Sequence, residues 1–527
     1  MRTWLPLLLL ATACGRPADP GPYDLLLQGG SVIDGTGAAA VRADVGVRDG
    51  RIVAVAADLP AEAAARVVDV TGQTVAPGFI DLHAHLDPLL RLPDAESHVR
   101  QGVTTALGGP DGSSPWPLGP YLDSAAAAGL GMNVAFLVGH NTIRQAVMGL
   151  ENRAPTAAEL GRMEAMVTRG MEAGAFGLST GLRYLPGTFA ETEEVVALAA
   201  VAAAVGGIYT SHLRDEGLQL AAGVREAIQI GREARIPVVL THHKVIGKPM
   251  WGSSALTLAM ADSARAEGVS VMADQYPYTA SYTGIGVLVP TWALAGGDSG
   301  LAARLRDPAL RDSVVAGIVW NIENDRGGGD ISRVQLALVP WDRTLEGKTL
   351  ADWAEREGLP PTPATGARLV LQAMARGGAS AIYHVMDEGD VERIMRDPHT
   401  AIASDGRLVR PGDGHPHPRW YGTFPRVLAR YVRERGTLTL EDAVRKMTSL
   451  PADRLGLATR GRVAVGAWAD LVVFDPATVA DRATFEDPHQ YPVGISLVTV
   501  NGVPVVDGGS FTAARPGRVL RRTAPLD

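Results

Sequence analysis

Two histidines one residue apart, His83 and His85, close the run Pro77-Gly78-Phe79-Ile80-Asp81-Leu82-His83-Ala84-His85-Leu86-Asp87. In a strand, residues i and i+2 point to the same side, so both imidazoles would face one cavity. Two neutral imidazoles on one face make half of a metal site, and zinc is the first-row ion that best suits a mixed set of nitrogen and carboxylate ligands. Further candidates stand far along the chain: His212 in Tyr209-Thr210-Ser211-His212-Leu213-Arg214, His242 in Val239-Leu240-Thr241-His242-His243-Lys244, and Asp405 in Ile402-Ala403-Ser404-Asp405-Gly406. Each ends a short apolar run, a placement that packing alone does not explain. Singly, each histidine would be structural; at one end of four strands, they would form a site for one or two ions.

Such a site needs a scaffold that gathers strand ends. Short β-type runs begin at Tyr23-Asp24-Leu25-Leu26-Leu27 and continue through Val67-Val68-Asp69-Val70, separated by Gly-containing turns that read as hairpins. Runs of the same character recur at 461–475 and 498–506. A few hairpins are marginal alone, so residues 23–75 and 456–515 are expected to combine into one small β-sandwich domain built from both chain ends. Over residues 76–455, apolar runs alternate with Ala-rich helical stretches, the pattern of βα units around a parallel sheet. The expected fold class is therefore α/β, a (β/α)8 TIM-like barrel, in which active sites lie where strands finish. Nine runs compete for eight places: 79–85, 104–108, 134–139, 175–180, 208–212, 238–242, 269–274, 380–384 and 401–405. Either 269–274 or 380–384 should be the extra one, and the gap between them is expected to hold an inserted subdomain at about 285–345.

The chain has 527 residues, 46% of them hydrophobic, enough for a large core in one big domain with attachments or in two domains. Its formal net charge of -8 and lack of long basic runs argue against a nucleic-acid partner and for a small, polar substrate. The single cysteine, Cys14, excludes an intrachain disulfide and a thiolate-rich metal site. It follows Arg2, the apolar Leu5-Pro6-Leu7-Leu8-Leu9-Leu10-Ala11 and the small Thr12-Ala13, and precedes a Pro-rich stretch. This has the form of a secretory signal peptide over residues 1–14 with a linker at 15–22, and its apolar part is too short to span a bilayer. The ending resembles a bacterial lipoprotein signal, with Ala11 where a leucine is usual. The expectation is export to the periplasm or cell envelope, with a lipid on Cys14 as the membrane contact.

The chain resembles the amidohydrolase superfamily and, within it, the N-acyl-D-amino-acid deacylase (D-aminoacylase) family, from Tyr23 to about Asp507. The resemblance rests on Pro77 to His85, on Gly177-Leu178-Ser179-Thr180-Gly181-Leu182-Arg183-Tyr184-Leu185-Pro186-Gly187, on His242-His243-Lys244 and on Tyr276-Pro277-Tyr278-Thr279. The stretch specific to the deacylase branch runs from Ser404-Asp405-Gly406 through His415-Pro416-His417-Pro418-Arg419-Trp420-Tyr421-Gly422-Thr423-Phe424-Pro425-Arg426. The resemblance implies zinc, one ion or two, held by His83, His85, His212, His242 and Asp405, with His243 competing for the place of His242. It implies a substrate gripped by Lys244, Tyr276 and Arg419, and a guanidinium suits a substrate carboxylate because it donates two parallel charged hydrogen bonds. The family's metal-binding cysteine is absent after Thr105, and Asp111 takes its place in Ala106-Leu107-Gly108-Gly109-Pro110-Asp111-Gly112. Asp111 would serve either as a harder ligand or as a cap of the turn between Pro110 and Gly112.

The implied reaction is hydrolysis of the amide of an N-acyl-D-amino acid, with Asp405 as the catalytic base that relays a proton from water to the leaving nitrogen. Two other amidohydrolase reactions share that chemistry: cleavage of dipeptides with a D-residue, and opening of cyclic amides of the dihydroorotase or hydantoinase type. A reading of another class is a non-catalytic envelope binding protein on the same scaffold. The oligomeric state is not encoded in any of these motifs.

Overall fold

The computed structural model describes residues 22–522, so the leader at 1–14 lies outside the described residues. Eight strands run parallel around one circuit. β1 (Phe79–Asp81) bonds to β2 (Val103–Gly108), and β2 to β3 (Asn133–Phe136). The chain of β3 continues into Val138–Gly139, which pairs with β4 (Gly177–Gly181). Then β5 (Ile208–His212), β6 (Val238–Leu240), β7 (Val271–Gln275) and β8 (Thr400–Ile402) follow side by side. The circuit closes just beyond β8, where the Asp405 N–H donates to the His83 carbonyl at 2.9 Å and Gly406–Arg407 runs parallel to Ala84–His85.

The strands divide with a period of two, as pleated backbone requires. Ile80, Leu107, Ala135, Val239, Met272 and Ala401 share one buried cluster. Their neighbours Phe79, Ala106, Val134, Val238, Val271 and Ile402 belong to the larger core that includes the helices. Burial on both faces is why these strands read as continuous apolar runs rather than as alternating ones. Some of the helices have local start signals. Ala157–Glu172 begins with a capping box in which Thr156 and Glu159 satisfy each other's backbone N–H groups. Leu220–Ala234 turns Leu220, Val224, Ala227, Ile228 and Gly231 inward.

The ninth apolar run is resolved in favour of β7. Ser380–Tyr383 lies instead in an antiparallel three-stranded sheet between Ser281–Gly284 and Val334–Leu338. That sheet, with helices such as Pro308–Asn324 and Pro363–Ala375, draws in residues on both sides of 285–345. A short apolar run records that it is buried but not which strand it joins.

Strands from the two chain ends join in one nine-stranded sheet, in which Leu471–Phe474 pairs antiparallel with Thr74–Pro77. The far edge, Arg51–Ala56, bonds back to Trp468 and Ala467, which lead directly into Leu471, so the sheet wraps around its own core. Leu25, Val45, Ile52 and Val75 from one end and Ala469, Val473 and Leu497 from the other fill it.

Candidate metal centre

Every candidate ligand stands at or just beyond the C-terminal end of a barrel strand: His83 and His85 after β1, Asp111 after β2, His212 at the end of β5, His242 after β6 and Asp405 after β8. Three of them, Asp111 (φ 53°), His242 (φ 37°) and Asp405 (φ 47°), have left-handed backbone. Non-glycine residues adopt this conformation at a cost of about 1–3 kcal/mol each, and such strain concentrates at functional sites. Neighbouring bonds hold it in place. The buried carboxylate of Asp274 accepts the His242 N–H at 2.6 Å, and Asp81 accepts the N–H groups of His83 (3.1 Å) and Ser404 (2.9 Å). Beside Asp111, a Cβ on Gly112 (φ 75°) would stand 2.1 Å from Asn141 Oδ1, so the loop closes this tightly only with glycine.

The side chains converge as two groups that share one member. His83, His85, Asp111 and Asp405 form the first, and Asp111, His212 and His242 the second, with the ligand atoms of each group within 4.8 Å of one another. His85 Nε2 lies 3.1 Å from Asp405 Oδ1, and His83 Nε2 lies 3.5 Å from both Asp405 Oδ1 and Asp111 Oδ1. His212 Nδ1 and His242 Nε2 are 2.8 Å apart. The Asp111 carboxylate faces all four imidazoles, at 3.5, 3.6, 3.7 and 3.3 Å from His83, His85, His212 and His242.

Among the described residues, His83 Nε2 and Asp111 Oδ1, which face each other at 3.5 Å in the first group, are buried without a hydrogen-bond partner. Unpartnered buried polar atoms are costly, and a divalent cation among them removes the cost. The nitrogen and carboxylate donors, with no thiolate, fit an ion of the zinc type.

Burial alone would keep these groups neutral, and the acids and imidazoles counter it in part. Burial pushes the His83 imidazole down to about 4. His85 is also held down by burial, but Asp111 and Asp405 overcome that and raise it to about 10. Burial would raise Asp111, yet His83 and His242 hold it well below the ordinary carboxylate range. Asp405 likewise lies low despite burial, because Arg419 and His83 favour its charged form.

A cavity of about 370 Å³ opens over this cluster, lined by His85, Asp111, His212, His242 and Asp405 and by Lys244, Arg326, Arg407 and Arg419. Arg419 Nη2 lies 3.0 Å from Asp405 Oδ2, with its guanidinium stacked 4.6 Å over Tyr276. Tyr276 is itself buried beneath the cation and donates its hydroxyl to Met386 Sδ at 3.7 Å. Lys244 is clamped between Glu216 and His242, 2.6 Å from His242 Nδ1. His243 turns away from the cluster, with Nε2 2.8 Å from Thr257 Oγ1.

Sequence reasoning missed Glu216, Arg326 and Asp274. Glu216 lies behind the second group, 3.2 Å from His242 Nδ1 and 3.5 Å from His212 Nε2, and orients both rings. Its position four residues after His212, in the loop that follows β5, was the available signal. Arg326 reaches the cavity from the inserted segment, 3.6 Å from Glu216, and nothing local marks it.

The amidohydrolase family model matches residues 66–275 and 349–506. The chain is 40% identical to the D-aminoacylase of Alcaligenes xylosoxydans xylosoxydans, over 96% of this chain and 99% of the relative. It is 42% identical to the N-acyl-D-glutamate deacylase of the same organism, over 95% and 97%. The crystal structure of N-acyl-D-glutamate deacylase from Bordetella bronchiseptica, complexed with zinc and a phosphonate inhibitor, superimposes with a TM-score of 0.81 at 40% identity, covering 95% of this chain and 99% of that one. A barrel whose strand ends carry four histidines and two aspartates, matched along nearly its whole length by these enzymes, belongs to the amidohydrolase family and to its D-aminoacylase branch.

Proposed function

We propose that the chain is a zinc-dependent hydrolase that cleaves N-acyl-D-amino acids into a carboxylate and a free D-amino acid. One observation carries the reading: a metal-type cluster with Asp111 common to both groups lies in the same cavity as Arg419 and Lys244, which suit a substrate carboxylate. His83, His85, Asp111 and Asp405 would hold one ion, and Asp111, His212 and His242 a second. A zinc ion held by these residues would supply a water with its pKa lowered to about 7 and would polarise the scissile carbonyl.

The protein's own groups do the rest. Arg419 offers a planar fork to the α-carboxylate, with Lys244 contributing a second positive charge. Because Arg419 also pairs with Asp405, a substrate carboxylate that draws on the guanidinium leaves Asp405 the better proton acceptor. Asp405 takes the proton from the attacking water and returns it to the departing nitrogen. Glu216 fixes the ring of His242 and holds Lys244 in the cavity.

The test is metal analysis of purified protein together with amine release from paired D and L substrates. The expected result is bound zinc and release from N-acyl-D-amino acids alone. Hydrolysis confined to hydantoins or dipeptides, or stoichiometric zinc with no hydrolysis at all, would overturn the proposal. Export with a lipid at Cys14 belongs to the same proposal and rests on the leader sequence. Among the described residues, no helix is long and apolar enough to cross a membrane. Fractionation of labelled cells, with Cys14→Ala as the control, decides it.

A further inference from the structure

Four cationic side chains line the metal cavity, and three already face an acid: Lys244 and Arg326 face Glu216, and Arg419 faces Asp405. Arg407 is the exception. Among the described residues it forms no ion pair, and its Nε, like those of Arg326 and Arg419, is buried without a hydrogen-bond partner. It lies on the short run Gly406–Arg407 that closes the barrel against Ala84–His85, so its backbone is held next to the first ligand group.

Arg407 also forms part of the wall between two chambers. Together with Tyr282 and Trp420 it borders a second cavity of about 620 Å³ that adjoins the first. That chamber is basic. Arg91, Arg343, Arg407 and Arg410 line it against Glu346 and Asp413. Glu346 is taken by Arg343 at 3.1 Å, and Asp413 accepts the backbone N–H of Arg410. A half-buried guanidinium with a desolvated, unused donor, at the mouth of a positively charged chamber, is built to receive an anion.

We propose that Arg407 accepts a second carboxylate of the substrate, so that the chain prefers dianionic N-acyl-D-amino acids. The inference rests on the deacylase reading and narrows its substrate class. The second carboxylate has two sources, an acidic amino-acid side chain or a dicarboxylic acyl group. The shared chemistry is a carboxylate at a distance from the scissile amide.

Two matched pairs separate the sources: N-acetyl-D-glutamate against N-acetyl-D-glutamine, and N-succinyl-D-leucine against N-butanoyl-D-leucine. In at least one pair kcat/KM should favour the dianion by about tenfold to a hundredfold, the scale of a charged hydrogen bond, mainly through KM. The pair that shows the preference names the source. Arg407→Gln should bring that ratio close to one, and Arg407→Lys should keep most of it, with thermal melting confirming that both variants fold. Equal rates within both pairs, or a ratio that survives Arg407→Gln, would overturn the inference. Calorimetry of the zinc-loaded protein with D-glutamate against D-glutamine, and with succinate against butyrate, reads the same preference without turnover. If no acylated substrate is hydrolysed, the deacylase reading fails, while a binding preference lost in Arg407→Gln still upholds the role of Arg407 and an unchanged preference removes it.

Discussion

Replacing Asp111 with asparagine should weaken binding of both metal equivalents. The carboxylate is the one group common to the two ligand sets, facing imidazole nitrogens at 3.3 to 3.7 Å. An ion among ligand atoms that all lie within 4.8 Å of one another is no farther than about 4 Å from it. At that distance a dication and a carboxylate attract by about 8 kcal/mol at an effective dielectric of about 20. The carbonyl oxygen of asparagine still offers the ion a neutral ligand and recovers several kcal/mol of this, so the net loss is about 3 kcal/mol, or about two powers of ten in affinity. Asparagine keeps the size and tolerates the left-handed backbone found at Asp111 (φ 53°), so the turn is preserved and only the charge is lost. Chelator competition and metal analysis on parent and variant give the affinity and stoichiometry. If Asp111 serves only the turn, the variant will bind both equivalents with unchanged affinity, and the reasoning from shared geometry is then refuted.

Other substitutions probe the remaining parts. Asp405→Asn should lower kcat by about 10²–10⁴-fold while metal analysis still finds bound ion, and full kcat with metal bound would remove Asp405 as the base. Glu216→Gln, by freeing the ring of His242, should weaken metal binding by about 10–100-fold in the same competition assay. Arg419→Lys replaces a fork with a point charge and should raise KM for N-acyl-D-amino acids by about tenfold or more. Away from the site, Glu194 holds His140 at 2.8 Å and Arg144 at 3.0 Å, all three buried, and Glu194→Gln should cost about 3–5 kcal/mol in denaturant unfolding. Burial would raise the Glu194 pKa, but His140 and Arg144 lower it below the ordinary 4.5. The stabilisation is therefore complete above about pH 4.5 and is lost as pH falls through the folded value, so the gap between parent and variant should narrow in acid.

Much of the barrel could be read along the chain. Apolar runs mark where strands are buried, and the polar residue at the end of each run marks the rim. The rest depended on partners. Ser380–Tyr383 and Val271–Gln275 look alike locally, and only the second pairs with its barrel neighbours on both sides. His242 and His243 are adjacent, and the left-handed turn at His242 (φ 37°) decides which ring enters the cluster. Glu216, Arg326 and Arg407 stand among many similar charged residues, and their meaning comes from what faces them across the cavity.

By itself, the order of residues determined which side chains could bind an ion and that they would end strands, because alternation and burial are short-range properties of an extended backbone. Closure of the ring decided the rest: that Asp111 belongs to both ligand groups, that Arg419 is shared with Asp405, and that Arg407 lacks an acid among the described residues. These are relations between residues up to several hundred positions apart. Charge and hydrogen bonding act through distance in space, and that distance exists only once the eight strands have met.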